Sequence, residues 1–279
     1  MTTLRQAVLW AQSRLNENAR FDAAQLACHA YGLNMTQLRL RGELPVDTQQ
    51  LDSLVARRAA GEPLQYLLGQ WEFYGLPFAV GPGVLIPRPE TELLVDFALR
   101  CLEGQERPCV WDLCAGSGCV GLSVARRRPD ARVFLLELSD KATPYLQKNA
   151  ANCPNARVVQ GDVFDKPAAA EPIQLILSNP PYVPSGEIDG LSAEVRHEPR
   201  EALDGGPDGL RFYQALRENW FPLLAAGGAM AMECGEGQSQ RLARQYFQGF
   251  AAQTLRDHNG IERVVVVTRH QAPPNRLPQ

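Results

Sequence analysis

Four consecutive residues, Asn179-Pro180-Pro181-Tyr182, follow an apolar run from Ile173 to Ser178. Proline carries no N–H, and Asn179 and Pro180 each precede a proline, which biases both toward extended backbone. The resulting edge is stiff, rich in acceptors and poor in donors. The Asn179 side-chain oxygen and the Pro180 carbonyl are free to point the same way. Two acceptors so spaced suit a planar –NH2 group, which has two donors, and the Tyr182 ring adds a flat π-face. For Pro-Pro alone, a proline turn closing a strand is the plainer alternative.

A second cluster reads as a cofactor loop. Asp112-Leu113-Cys114-Ala115-Gly116-Ser117-Gly118 closes an apolar segment that begins at Cys109. Gly116, Gly118 and Gly121 match G-x-G-x-x-G, a pattern that nicotinamide-dinucleotide loops also use. Two features favour another ligand. Asp112 stands where a pyrophosphate would come near, and the acceptor-rich edge has no task in hydride transfer. The loop suits a ligand with a cationic ammonium group, attracted by Asp112 directly or through water, while a carboxylate meets backbone N–H groups at the next helix start. A tight turn serving helix packing is the alternative. Glu137 ends the next apolar run, where a carboxylate accepts from two ribose hydroxyls in nucleotide folds; alone it reads equally as a solvated strand-end acid. Gly161-Asp162-Val163 follows a third run. Asp162 is placed to accept from an exocyclic amine of adenine, and Val163 to cover a ring face.

These groups need a scaffold, and the chain's periodicity supplies one. From about Gly83 onward strands alternate with helices. Strands are expected at Cys109–Leu113, Arg132–Leu136, Ala156–Val159, Ile173–Leu177, Ala229–Glu233 and Val264–Thr268. Such alternation implies an α/β fold with a mainly parallel sheet covered on both faces, and ligands then sit beyond the carboxyl ends of the strands. The last strand follows its predecessor so closely that an antiparallel course is open to it. Pro89 suits a first helical turn. Pro144 falls where a helix should follow Glu137 and is expected to kink or delay it.

Residues 1–72 read differently, as a small helical domain for packing or partner docking. Leu4, Ala7, Val8, Ala11 and Leu15 recur at helical spacing after Thr3, an expected N-cap. A second helix spans Asp22 to a stop at Gly32, and a third starts near Asp47 and ends at Gly61. Residues 73–86 are expected to hold a β-hairpin linker, its strands near Trp71–Tyr74 and Phe78–Val80. The large α/β domain takes 87–270, and the proline-rich tail 271–279 is expected to be disordered.

The chain has 279 residues, 28 Lys and Arg against 31 Asp and Glu, and a formal net charge of −3. That balance argues against a broad phosphate-tracking surface. Seven cysteines form no Cys-x-x-Cys pair, so neither a zinc ribbon nor a thioredoxin-type site is indicated, and no metal is expected. A reduced, cytoplasmic protein is the simplest account. The N-terminus carries charges unlike a signal peptide, and no apolar stretch is long enough for a bilayer.

The chain resembles the HemK/PrmC family of protein-(glutamine-N5) methyltransferases, which modify peptide chain release factors. The resemblance covers nearly the whole chain. It is carried by Glu62-Pro63-Leu64-Gln65-Tyr66-Leu67-Leu68-Gly69, by Val84-Leu85-Ile86-Pro87-Arg88-Pro89-Glu90-Thr91-Glu92, by Asn179-Pro180-Pro181-Tyr182, and by the segment from Glu198 to Leu210. It implies a Rossmann-like class I methyltransferase domain behind a helical N-terminal domain. It also implies S-adenosyl-L-methionine as cofactor and the glutamine of a Gly-Gly-Gln loop as substrate. By position, Cys114, Ala115, Gly116, Ser117, Gly118, Glu137, Val163 and Asn179 fall where the family binds cofactor. The chain departs from the family in having Glu137 where aspartate is usual, and Cys114-Ala115-Gly116 where many relatives have Gly-Thr-Gly.

With a glutamine amide as nucleophile, catalysis is expected to rest on alignment more than on acid–base chemistry. Asn179 Oδ1 and the Pro180 carbonyl would accept the two amide hydrogens, and Tyr182 would pack on the amide plane. No general base stands out: His197 reads as a solvated loop residue, and direct methyl transfer needs no nucleophile at Cys114. Two other classes remain open. An N6-adenine or N4-cytosine nucleic-acid methyltransferase faces the same –NH2 problem, though no base-reading domain is visible. A non-catalytic factor- or ribosome-binding module with a decayed site is opposed by the intact loop and edge.

Overall fold

The computed structural model describes residues 2–16, 18–167 and 171–271. Its N-terminal part is helical: β1 (Thr2–Thr3), α1 (Leu4–Arg14), α2 (Ala19–Tyr31), α3 (Met35–Leu40), β2 (Pro45–Val46), α4 (Gln49–Ala59) and α5 (Leu64–Leu68). Thr3 caps α1 in a reciprocal box with Gln6, and Asn34 does the same for α3 with Gln37. Each box satisfies two backbone donors that a helix start leaves free. Gly32, at φ +62°, ends α2 in the left-handed conformation that glycine adopts without strain. Leu4, Ala7, Ala11, Leu26, Leu51 and Leu54 bury one shared core. The three expected helices are present. The short α3 and α5 were not anticipated, because five or six residues are too few to display a period.

A hairpin follows, β3 (Gln70–Phe73) and β4 (Leu76–Ala79), turning on Tyr74 and Gly75, both at positive φ. Two such residues in succession are what a tight hairpin needs. Phe73 and Phe78 meet edge to face and join the core of the next unit. That unit contains a 3₁₀ turn (Pro89–Thr91), α6 (Glu92–Cys101), β5 (Cys109–Leu113), α7 (Cys119–Arg127), β6 (Arg132–Glu137), α8 (Thr143–Ala150), β7 (Ala156–Gln160) and β8 (Ile173–Ser178). Then come α9 (Arg211–Ala215), which runs on as a π turn, β9 (Leu224–Glu233), α10 (Ser239–Tyr246), β10 (Phe250–Arg256) and β11 (Glu262–Gln271). Pro144 sits in the first turn of α8, so the helix starts late and is not kinked.

The seven-stranded sheet has the order β10-β11-β9-β8-β5-β6-β7. From β9 to β7 neighbours run parallel, and β11 lies antiparallel between β9 and β10. Alternate strand residues feed two cores, as a period of two requires. Val110, Leu135, Leu177 and Ala231 enter one, and Leu113, Leu136, Ile176 and Met232 the other. Strand order reverses between β5 and β8, and a crevice opens there beyond the strand ends. β10 was not expected: most of its residues are exposed, so it lacks an apolar alternation. All seven cysteines are free thiols. Of the tail expected to be disordered, residues 272–279 lie outside the described residues.

Candidate functional site

The crevice is a cavity of about 450 Å³ walled by the ends of β5, β6 and β8 and by the loops after them. After β5 the chain turns through Cys114, Gly116 and Gly118, all at positive φ, and enters α7. Gly121 in that helix has no room for a side chain: a Cβ there would lie 2.3 Å from Leu135 Cδ2. Its N–H donates to Asp112 Oδ2 at 2.8 Å.

Glu137 braces the same loop. Its Oε2 accepts from Gly116 N and its Oε1 from Ser139 N, both at 2.7 Å. The carboxylate therefore joins two loops while still lining the cavity. Asp112, 2% exposed, is pushed up from 3.8 to about 8 by burial, against the Gly121 N–H, with Glu137 adding to the rise. Burial raises Glu137 as well, opposed by the amides of Ser139, Gly116 and Leu138. Among the described residues no Lys or Arg forms an ion pair with either acid. A buried acid without a cation takes up a proton unless a ligand brings positive charge. This donor set fits a ligand with an ammonium group near Asp112. Burial likewise pushes the Cys114 thiol well above its ordinary range, so no thiolate faces the cavity at neutral pH.

Asp112, Cys114, Ala115, Gly116, Ser117, Glu137, Asp162, Val163, Asn179 and Pro181 all line this one cavity. Asp162 spends part of Oδ1 on Phe164 N, and the buried Val163 holds the Trp220 indole N–H through its carbonyl. Gly118, Pro180 and Tyr182 are not in the lining. Gly118 heads α7, Pro180 is buried, and the half-buried Tyr182 directs its hydroxyl to Glu233 Oε1 at 3.3 Å.

Several residues at the site carry no role in the sequence analysis, although Thr91, Pro199, Glu201 and Ala202 fall in segments that bear the family resemblance. Thr91, from the turn before α6, lines the cavity and accepts from Asn179 Nδ2 at 3.2 Å. Thr91 in turn donates to Glu233 Oε2 at 2.6 Å. Glu233 ends the apolar run Ala229-Met230-Ala231-Met232, the same strand-end signal that singled out Glu137. Leu138, directly after Glu137, stays 58% exposed at the cavity. Pro199, Glu201 and Ala202 form the far wall, and Glu201 bridges to the Ser139 hydroxyl at 2.8 Å.

This sheet order and its strand-end cavity define a Rossmann-like methyltransferase. Solved structures agree on the fold. The hMettl16 catalytic domain, in complex with the MAT2A 3′UTR hairpin, superposes with a TM-score of 0.57 at 14% identity, covering 78% of this chain and 82% of that one. The T. thermophilus 16S rRNA N2 methyltransferase RsmC, in complex with AdoMet and guanosine, gives 0.52 at 22% identity, over 72% and 50%. Residues 6–69 match the PrmC N-terminal domain and residues 91–206 the methyltransferase small domain. The release factor glutamine methyltransferase of Geobacter sulfurreducens is 40% identical over 94% of this chain and 95% of its own length. That of Moorella thermoacetica is 39% identical over 96% and 99%. The chain belongs to the release factor glutamine methyltransferase family.

Proposed function

We propose that the chain transfers a methyl group from S-adenosyl-L-methionine to the side-chain amide nitrogen, N5, of the glutamine in the Gly-Gly-Gln loop of peptide chain release factors, and that it does so in the cytoplasm. Among the described residues no helix is long and apolar enough to cross a membrane, and none of their His, Cys, Asp and Glu groups would hold a metal ion.

The observation that carries this reading is the anchored carboxamide of Asn179. Its Nδ2 is held by Thr91 Oγ1, which leaves Oδ1 as an acceptor in the cavity that Asp112 and Glu137 also line. Asp112 would hold the cofactor ammonium, the Cys114–Gly118 loop its amino-acid end, Glu137 the ribose, and Asp162 and Val163 the adenine. Bound there, the cofactor supplies a sulfonium methyl that is already strongly electrophilic. An amide nitrogen is a poor nucleophile, because its lone pair is delocalised into the carbonyl. Asn179 Oδ1 would accept one of its hydrogens, and the Pro180 carbonyl, on the buried edge beside the cavity lining, would take the other once the substrate is seated, aiming the nitrogen along the line of attack. They also stabilise positive charge as it develops on nitrogen, the inverse of an oxyanion hole. Once methylated, the nitrogen would release one proton to water. Tyr182, with its hydroxyl held by Glu233, stiffens this corner.

The helical segment 1–72 would dock the release factor, with the hairpin region 73–86 joining it to the catalytic unit. One ion pair links the two parts: Arg58 of α4, held by Asp22 of α2 at 2.6 Å, also reaches Glu194 at 3.2 Å, in the chain segment that precedes Pro199 of the cavity wall. Incubation of the purified chain with a release factor and isotopically labelled cofactor tests the reading. Peptide mass spectrometry should find one methyl on the Gly-Gly-Gln glutamine and none when that glutamine is alanine. Label going only to DNA or RNA would overturn it.

A further inference from the structure

Asn179 serves as an amide grip in only one of its two orientations, because a flipped side chain would present –NH2 to the substrate's own –NH2. We propose that Glu233, acting through Thr91, sets this orientation and is a positioning residue for methyl transfer; the inference rests on the glutamine-methylation reading above.

Glu233 is 1% exposed at the end of β9. As a carboxylate it accepts from Thr91 Oγ1 at 2.6 Å and from the Tyr182 hydroxyl at 3.3 Å. The hydroxyl of Thr91 has a single proton, and that proton is spent on Glu233. Only lone pairs then face Asn179, whose Nδ2 donates to them, so Oδ1 turns to the cavity. Protonation of Glu233 reverses the chain. The acid donates to Thr91, the threonine proton is released toward Asn179, and the carboxamide is drawn round with –NH2 facing the substrate. Burial raises Glu233 to about 7, opposed by the Thr91 bond, with Glu90 adding to the rise, and Tyr182 and Arg263 lowering it. The adjacent Cys234, Cys119 of α7 and Tyr213 of α9, whose hydroxyl donates to the Glu233 carbonyl at 2.8 Å, complete the titratable surroundings. Reversal therefore falls in the neutral range, with turnover rising as pH rises through it.

The test compares wild type with Thr91→Val, Thr91→Ser and Glu233→Gln. Thr91 makes no side-chain cap to α6, so the valine removes no helix cap. With both substrates saturating, Thr91→Val should lower kcat by on the order of tenfold to a hundredfold with cofactor Kd unchanged, and Thr91→Ser should restore it. Wild-type kcat should show an ascending limb near neutrality that Thr91→Val and Glu233→Gln lack. A readout independent of release factor is the 15N signal of the Asn179 side-chain amide in ligand-free protein. It should titrate near neutrality in wild type and not in either variant. A Thr91→Val enzyme with wild-type kcat and pH limb, or an Asn179 amide signal unmoved by pH in wild type, would overturn the proposal. Wild type failing to methylate a release factor overturns the functional reading instead, and the amide titration still decides this one.

Discussion

Arg88 and Glu198, separated by 110 positions, pair directly, and Glu198 Oε2 also accepts from Ile86 N at 2.9 Å. The Glu198 side chain is 1% exposed and that of Arg88 30%. One carboxylate thus ties the segment before α6 to the segment beyond β8, and the next residue, Pro199, walls the cavity. Removing the cation leaves a buried charge with one amide donor. Arg88→Ala should destabilise the protein by about 3 kcal/mol in denaturant unfolding and weaken cofactor binding. Unchanged unfolding would show that water replaces the guanidinium.

Asn179→Ala removes one of the two acceptors proposed for the substrate amide and leaves the acids of the cofactor wall intact. Turnover should fall on the order of a hundredfold to a thousandfold, by analogy with loss of an oxyanion donor. Cofactor Kd from calorimetry should move far less. Near-normal turnover would refute the proposed role of Asn179.

Glu137 accepts from two loop amides with its two oxygens. Glu137→Ala strands both donors and removes the proposed ribose acceptor. At about 1.5–3 kcal/mol for the net loss of one hydrogen bond to a charged group, with water replacing the other, cofactor Kd should rise on the order of tenfold to a hundredfold. At saturating cofactor, kcat should be nearly preserved. A fall in kcat with Kd intact would move Glu137 from cofactor holding to the transfer step.

Asp112 links binding to pH. Its folded-state value is raised from 3.8 to about 8, so between those values the folded form binds a proton that the unfolded chain has lost. Its contribution to the stability of the ligand-free protein is therefore largest at low pH and declines as pH rises toward about 8. A bound ammonium favours the carboxylate and expels the proton. Calorimetry at about pH 7, in buffers of different ionisation enthalpy, should report release of up to one proton on cofactor binding, and less in Asp112→Asn. Identical release in that variant would assign the proton to another group.

Much of the site is legible in residue order because its parts are local. An acid ending an apolar run, a Gly-spaced turn after it and a proline-stiffened edge each encode their backbone shape within a few residues. The same signal stands at Glu233, with Gly235 and Gly237 after it, but residue order alone does not show that this acid faces Thr91 and Asn179. α3, α5 and β10 were not legible for a different reason: two are too short to show a period, and one is mostly exposed.

Residue order alone is enough for the two-part architecture, the alternating sheet and the acceptor character of the Asn179–Tyr182 edge, because these follow from apolar period and proline geometry. Which partners hold that edge is decided in three dimensions. Thr91 lies 88 positions from Asn179 and 142 from Glu233. They meet because β8 and β9 are neighbours in the sheet and the turn before α6 crosses their ends. No local pattern encodes that meeting: the direction in which an asparagine amide points depends on which proton its distant neighbour has already given away.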